Sequence, residues 1–178
     1  MDEADIDYAI KDADAVRAES FQNTPPVDVY GIARSNGLDI TEKVFPADQA
    51  DIAGFVTVQD GRGRLFVNLL DSPSRRRFTV AHELGHWRLH RNELQNDPKR
   101  SVLFRIAIGK LNEDPLEKAA NVYAANLLVP LDLLKQYRKG MSVKQLAKLF
   151  EVSTEVIGYR LSLLEKDKNV VRAQKQGK

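Results

Sequence analysis

The stretch Arg75-Arg76-Arg77-Phe78-Thr79-Val80-Ala81-His82-Glu83-Leu84-Gly85-His86-Trp87-Arg88-Leu89-His90 decides how this chain is read. Its spacing predicts a helix over about 75–89, capped by Ser72 or Ser74 with Pro73 near the first turn. On that helix Val80, Leu84 and Trp87 fall on one stripe, which predicts core packing. His82 and His86 fall on another, about 40° apart in rotation and about 6 Å apart along the axis. Two imidazoles placed this way can point at one ion. Zinc accepts neutral imidazole nitrogen, and its catalytic sites keep three protein ligands and one open position. Glu83, at the flank of the same face, is placed to take a proton from a water that a metal has acidified.

A chain with three histidines and ten glutamates would show His-Glu-x-x-His by chance in about 0.2% of shuffles. His90 lies about 12 Å along the helix from His82, too far to share an ion; near the helix end it suits the dipole instead. With no other histidine and no cysteine in the chain, the third ligand must be an oxygen. Glu117 is the first choice. Its helix carries Glu117, Ala120, Asn121 and Ala124 on one small, polar face. The competing reading is a solvated helix-start glutamate, and Glu113 and Asp114 are fallback ligands. Gly85, in mid-helix, costs about 1 kcal/mol relative to alanine, which points to close approach of another backbone. Ala120 or Ala124 is the expected neighbour. Asn121 is the expected hydrogen-bond partner of a ligand. For stabilising an oxyanion, Tyr123, Tyr137, Tyr159 and Arg160 all stand open.

The rest of the chain frames this helix. Residues 5–21 space apolar side chains as an amphipathic helix does, and Pro26 is expected to start a short helix that stops at Asn36-Gly37. Strands are predicted over 38–44, 54–59 and 64–69, the last two forming a hairpin around Asp60-Gly61-Arg62-Gly63. Residues 91–100 read as a polar loop, and helices follow over 116–128, 131–138, 142–150 and 153–165. The expected fold class is α+β: a small antiparallel or mixed sheet packed on a helical core, with C-terminal helices. Residues 1–50 supply an N-terminal helical segment and first strand, 51–165 the core, together one domain, and 166–178 a flexible basic tail. The 178 residues, 43% hydrophobic and 29% charged, carry a net charge of +2, which implies no polyanionic partner. The acidic N-terminus lacks the layout of a secretion signal, and no apolar run nears the ~18 residues of a membrane span. A cytoplasmic protein is expected.

Arg77-Phe78-Thr79-Val80-Ala81-His82-Glu83-Leu84-Gly85-His86 with Leu89-His90, and the later Glu117-x-x-Ala120-Asn121-x-Tyr123-Ala124-Ala125-x-Leu127-Leu128-x-Pro130, resemble the signatures of the ImmA/IrrE metallopeptidases. Leu146–Ser153 and Arg160-Leu161 are similar to that family's closing helices. The resemblance implies a zincin-like, more narrowly gluzincin-like, helical core with zinc on His82, His86 and Glu117, and Glu83 as general base. Manganese could substitute, since this donor set discriminates weakly. It also implies a substrate class: an Xre-type helix-turn-helix repressor or antitoxin, often encoded beside the peptidase in a mobile-element, stress-response or toxin–antitoxin operon. Ala119 stands where the family often has a second acidic residue, and Tyr123 where phenylalanine is common. Two other readings compete. One is a zinc-containing protein that binds its repressor without cutting it. The other is a DNA-binding regulator using the 142–165 helices, although the helix from Thr154 offers few side chains suited to base edges. A substrate is expected to lie extended along an edge of the 54–69 hairpin.

Overall fold

The computed structural model describes residues 3–96 and 114–176, with side chains over 5–91 and 114–166. In chain order the elements are α1 (Glu3–Glu19), α2 (Val29–Ser35), β1 (Leu38–Lys43), a 3-10 turn (Ala47–Gln49), β2 (Gly54–Gln59), β3 (Arg62–Asn68), α3 (Pro73–Asn96), α4 (Pro115–Leu128), α5 (Leu131–Tyr137), α6 (Val143–Phe150) and α7 (Thr154–Gln176). The fold is α+β.

The sheet is mixed, in the order β1-β3-β2. β1 runs parallel to β3, and β2 pairs antiparallel with it. The β2–β3 turn is the two residues Asp60 and Gly61, with φ of 51° and 74°, between paired Gln59 and Arg62. Both positive φ values match the primed turn that suits strand twist, so β3 starts at Arg62 rather than Arg64. β3 is paired on both sides, which leaves β2 as the free edge of the hairpin.

α3 lies across the sheet. Val80, Leu84 and Trp87 are buried, and the Trp87 indole N–H donates to Asn36 O at 3.0 Å. They pack in one core with Leu65 and Val67 of β3 and with Leu127 and Leu128 of α4. Leu84→Ala should cost ~2–5 kcal/mol, the range for emptying a buried leucine site, read as a lower unfolding midpoint in urea. α1 packs on α4 and is tied to the motif helix by the Arg88 guanidinium, which donates to both carboxylate oxygens of Asp12 at 2.9 and 2.7 Å.

Helix starts follow side-chain caps. Ser72 Oγ accepts from Arg75 N at 3.4 Å, and Asp114 Oδ1 from Leu116 N at 2.9 Å. Ser142 and Gln145 close a capping box on α6. α2 starts after Asp28, whose carboxylate accepts from Gly31 N at 3.0 Å, and not at Pro26. Phe21 lies past the end of α1, 85% exposed and with φ of 55°, so it is no part of the amphipathic stripe. α3 has one non-helical residue, His90 (φ −130°, ψ 20°). The break falls where the predicted helix ends, but 91–96 resumes as helix rather than loop. α7 continues to Gln176, where a flexible tail from 166 was expected; beyond Gly158 the segment has no glycine or proline to stop it before Gly177. The rest of the polar loop, residues 97–100, and Glu113 lie outside the described residues.

Candidate metal centre

α3 and α4 build the site together. His82 Nε2 lies 3.0 Å from His86 Nε2 and 3.1 Å from Glu117 Oε2, and His86 Nε2 lies 3.2 Å from Glu117 Oε1. Bonds of ~2.0–2.1 Å to a tetrahedral ion need donor atoms about 3.3–3.4 Å apart. The observed separations, which reach the two oxygens of Glu117 one from each histidine, are of that order, and one ligating atom from each residue lies within 4.8 Å of the others; imidazole nitrogen and carboxylate oxygen are donors that zinc takes. Among the described residues this triangle is the only group of three ligating side chains that could hold an ion. Asp114 is not part of it, because its carboxylate caps α4. His90, with its ring 5.7 Å from that of His86, is likewise outside the triangle.

The electrostatics suit a cation. Burial pushes the Glu83 carboxyl up to about 7, against the pull of His82. Burial holds the His86 imidazole down at about 4, the neutral form a metal needs. Burial would also raise Glu117, but hydrogen bonds and charge from His82 and His86 outweigh it and hold the carboxyl at about 2. For His82 burial works downward, yet the hydrogen bond to Glu117 and the charge of Glu83 raise it. The two carboxylates thus draw positive charge to this point.

Asn121 supports the triangle as expected. Its Oδ1 accepts from His82 Nδ1 at 3.0 Å, which leaves the Nε2 lone pair for the ion. Asn121→Ala should weaken zinc binding by about 10–100-fold, measurable by chelator competition. Glu83 is held from the sheet: its Oε2 accepts from Val56 N at 3.0 Å. Sequence reasoning missed this contact, because a backbone donor on a strand has no side-chain signature.

Gly85 is a point of close approach, but to a different neighbour from the one expected. A Cβ there would lie 3.1–3.2 Å from the Cδ1, Cβ and Cγ of Tyr123, rather than against Ala120 or Ala124. Tyr123 is the residue of α4 that reaches back toward α3.

The triangle opens on a cleft of about 530 Å³. It is lined by the first half of α3, the start of β2 with the residues before it, Glu117 and Asn121 of α4, and the turn into α7 at 153–156. None of the expected oxyanion stabilisers lines it. Tyr123 is fully buried, with its hydroxyl beside Asp12 and Arg88. Tyr159 is exposed to solvent, and Tyr137 packs its ring edge-on to Phe150. Arg160 is buried as a clamp: its Nε donates to Val129 O at 2.8 Å and its NH2 to Asn126 Oδ1 at 2.6 Å. α6 and α7 do form a helix-turn-helix pair, turned by Glu151 in the left-handed region (φ 53°). The first turn of its second helix faces the cleft.

The family model of the IrrE N-terminal-like domain (Peptidase M78) matches residues 36–162. The metallopeptidase ImmA of Bacillus subtilis is 27% identical over 123 residues, which cover 67% of this chain and 68% of ImmA. The radiation response metalloprotease IrrE of Deinococcus radiodurans is 33% identical over 103 residues, covering 55% of this chain and 30% of IrrE. A solved structure named as a Mycobacterium tuberculosis transcriptional regulator superposes with a TM-score of 0.59 at 19% identity, covering 86% of this chain and 46% of that one. At that identity the likeness concerns the fold alone. The chain therefore spans less than a third of IrrE and less than half of the mycobacterial chain. A family match over well more than half of the sequence, taking in His82, Glu83, His86 and Glu117, makes this chain a member of the IrrE N-terminal-like domain family of metallopeptidases.

Proposed function

We propose that the chain is a zinc-dependent endopeptidase, acting in the cytoplasm, that cuts an Xre-type helix-turn-helix repressor or antitoxin. The observation that supports the chemistry most is the His82–His86–Glu117 triangle with Glu83 beside it on an open cleft of about 530 Å³. His82, His86 and Glu117 would hold zinc, or manganese in its place, which supplies Lewis acidity toward water and the peptide carbonyl.

The chain's own groups do the rest. Glu83 Oε2 is engaged by the Val56 N–H, so Oε1 takes the proton of the attacking water and passes it to the leaving amine. A carboxyl near 7 is matched to proton transfer at neutral pH. Asn121 fixes the tautomer of His82. β2 offers its free edge to an extended substrate, and pairing starts on the Gly54 side, because the Val56 N–H is already committed to Glu83. Among the described residues no helix is long and apolar enough to cross a membrane.

The repressor as substrate rests on the family resemblance of the two motif blocks. Its test is to incubate the purified protein, with zinc or manganese, with the repressor-like product of an adjacent gene. Fragments should form with the parent protein and not with Glu83→Gln. Inactivation of the repressor in cells by Glu83→Gln as well would instead mean sequestration without cleavage. DNA binding through α6 and α7 is disfavoured by the position of the second helix's first turn against the cleft.

A further inference from the structure

The walls of the cleft are not evenly polar. Phe78 sits one turn before His82 on α3, with its ring 6.4 Å from that imidazole. Ile52 comes from the segment leading into β2, and Val156 from the first turn of α7. All three line the cleft and are only half-buried, so each keeps apolar surface facing the space beside His82 and Glu83.

Val156 is firmly placed. Its neighbours Val152 and Ile157 are buried in the core. The preceding turn is held by the ion pair of Arg77 with Glu151 at 3.5 Å, and one helical turn on, Arg160 anchors α7 to Val129 O. A wall fixed at both ends presents a defined shape. Arg75 is the one cation among the described residues lining the cleft, and it is paired with Asp71 at 3.2 Å, so an acidic side chain entering between the three apolar groups, with Glu155 beside them, would lose water without gaining a partner. An apolar one would cover surface that water now touches.

Resting on the endopeptidase reading, we propose that Ile52, Phe78 and Val156 form a subsite for an apolar substrate side chain next to the bond that is cut. The corner between α6 and α7 is then a wall that selects substrate. One methylene more or less in an apolar pocket is worth about 10–200-fold in discrimination.

The test uses zinc-loaded Glu83→Gln protein as a trap, so that binding is read without turnover. It is incubated with terminally blocked peptides randomised at every position, and the retained peptides are sequenced. Leucine, isoleucine, phenylalanine and methionine should be enriched roughly tenfold over aspartate and glutamate. Val156→Lys should replace that preference with one for acidic residues. Ile52→Lys, outside any helix or strand, should do the same and covers the case in which Val156→Lys disturbs α7. No retention, no apolar enrichment, or an unchanged profile in both variants would overturn the subsite. The endopeptidase reading fails separately, if the parent protein with zinc cuts the mixture no faster than Glu83→Gln does.

Discussion

Protein carrying Glu83→Gln should bind zinc as tightly as the parent and cut peptide about 10²–10⁴-fold more slowly, the usual contribution of a general base. The substitution keeps the shape of the side chain. Its amide oxygen can still accept from the Val56 N–H, which holds Glu83 Oε2 at 3.0 Å. What it loses is the ability to take a proton. The thermal midpoint should not fall. Burial raises this carboxyl to about 7, so the charged form is disfavoured by folding above the ordinary carboxylate range, and removing the charge relieves that penalty. Stopped assays with the adjacent-gene repressor, zinc titration and calorimetry on the same preparation separate the outcomes. Loss of zinc along with activity would mean that Glu83 is a ligand, and the role given to it here would be wrong.

Gly85→Leu should be the most damaging substitution at a residue with no chemistry of its own. Even one carbon at this position would stand 3.1–3.2 Å from Tyr123, and Tyr123 is fully buried with little room to withdraw. A leucine must push α4 away from α3. Overpacking of this kind costs about 1–3 kcal/mol, and sometimes more. The larger effect concerns the metal, because Glu117 rides on α4 while His82 and His86 ride on α3. Separating the helices should reduce zinc affinity and activity together, even though no ligand is altered. Gly85→Ala is the informative control. It gains about 1 kcal/mol of helix propensity against a contact that Tyr123 must relieve by a few tenths of an ångström. A leucine variant that binds zinc like the parent would show that the helix crossing does not set the site.

The grouping of His82, His86 and Glu117 was legible because its information is local. His82 and His86 declare themselves by i, i+4 spacing, and the shortage of other nitrogen or sulfur donors sends the search to a carboxylate. Glu117 then stands out by its small-residue helix face. Helix starts were legible where a side chain makes the cap, at Ser72, Asp114 and Ser142. The illegible parts depend on backbone or on tertiary packing. The Val56 N–H that holds Glu83 could have belonged to any strand residue. Arg160 offered itself as an oxyanion partner, and only the position of Val129 and Asn126 shows it to be a buried clamp. That the nearest atoms to Gly85 belong to Tyr123 follows from the rotation of α4 about its own axis. Rotation of this kind is set by the whole core. The helix-turn-helix rhythm of 142–165 was read correctly, but which way the turn faces is a property of the assembled domain.

Gly54 carries a consequence of its own. A Cβ at that position would fall 2.6 Å from the backbone oxygen of Phe66 and 2.5 Å from the Thr79 methyl, so no side chain fits without shifting β2 against both β3 and α3. β2 is also the strand whose Val56 N–H orients Glu83. The aim of the oxygen proposed to transfer the proton is therefore governed, two residues along the strand, by an atom the protein must do without. Variants here would look like catalytic lesions while leaving every chemically competent side chain untouched. Tolerance to mutation around this active site is better mapped by how closely backbones approach than by a roster of reactive groups.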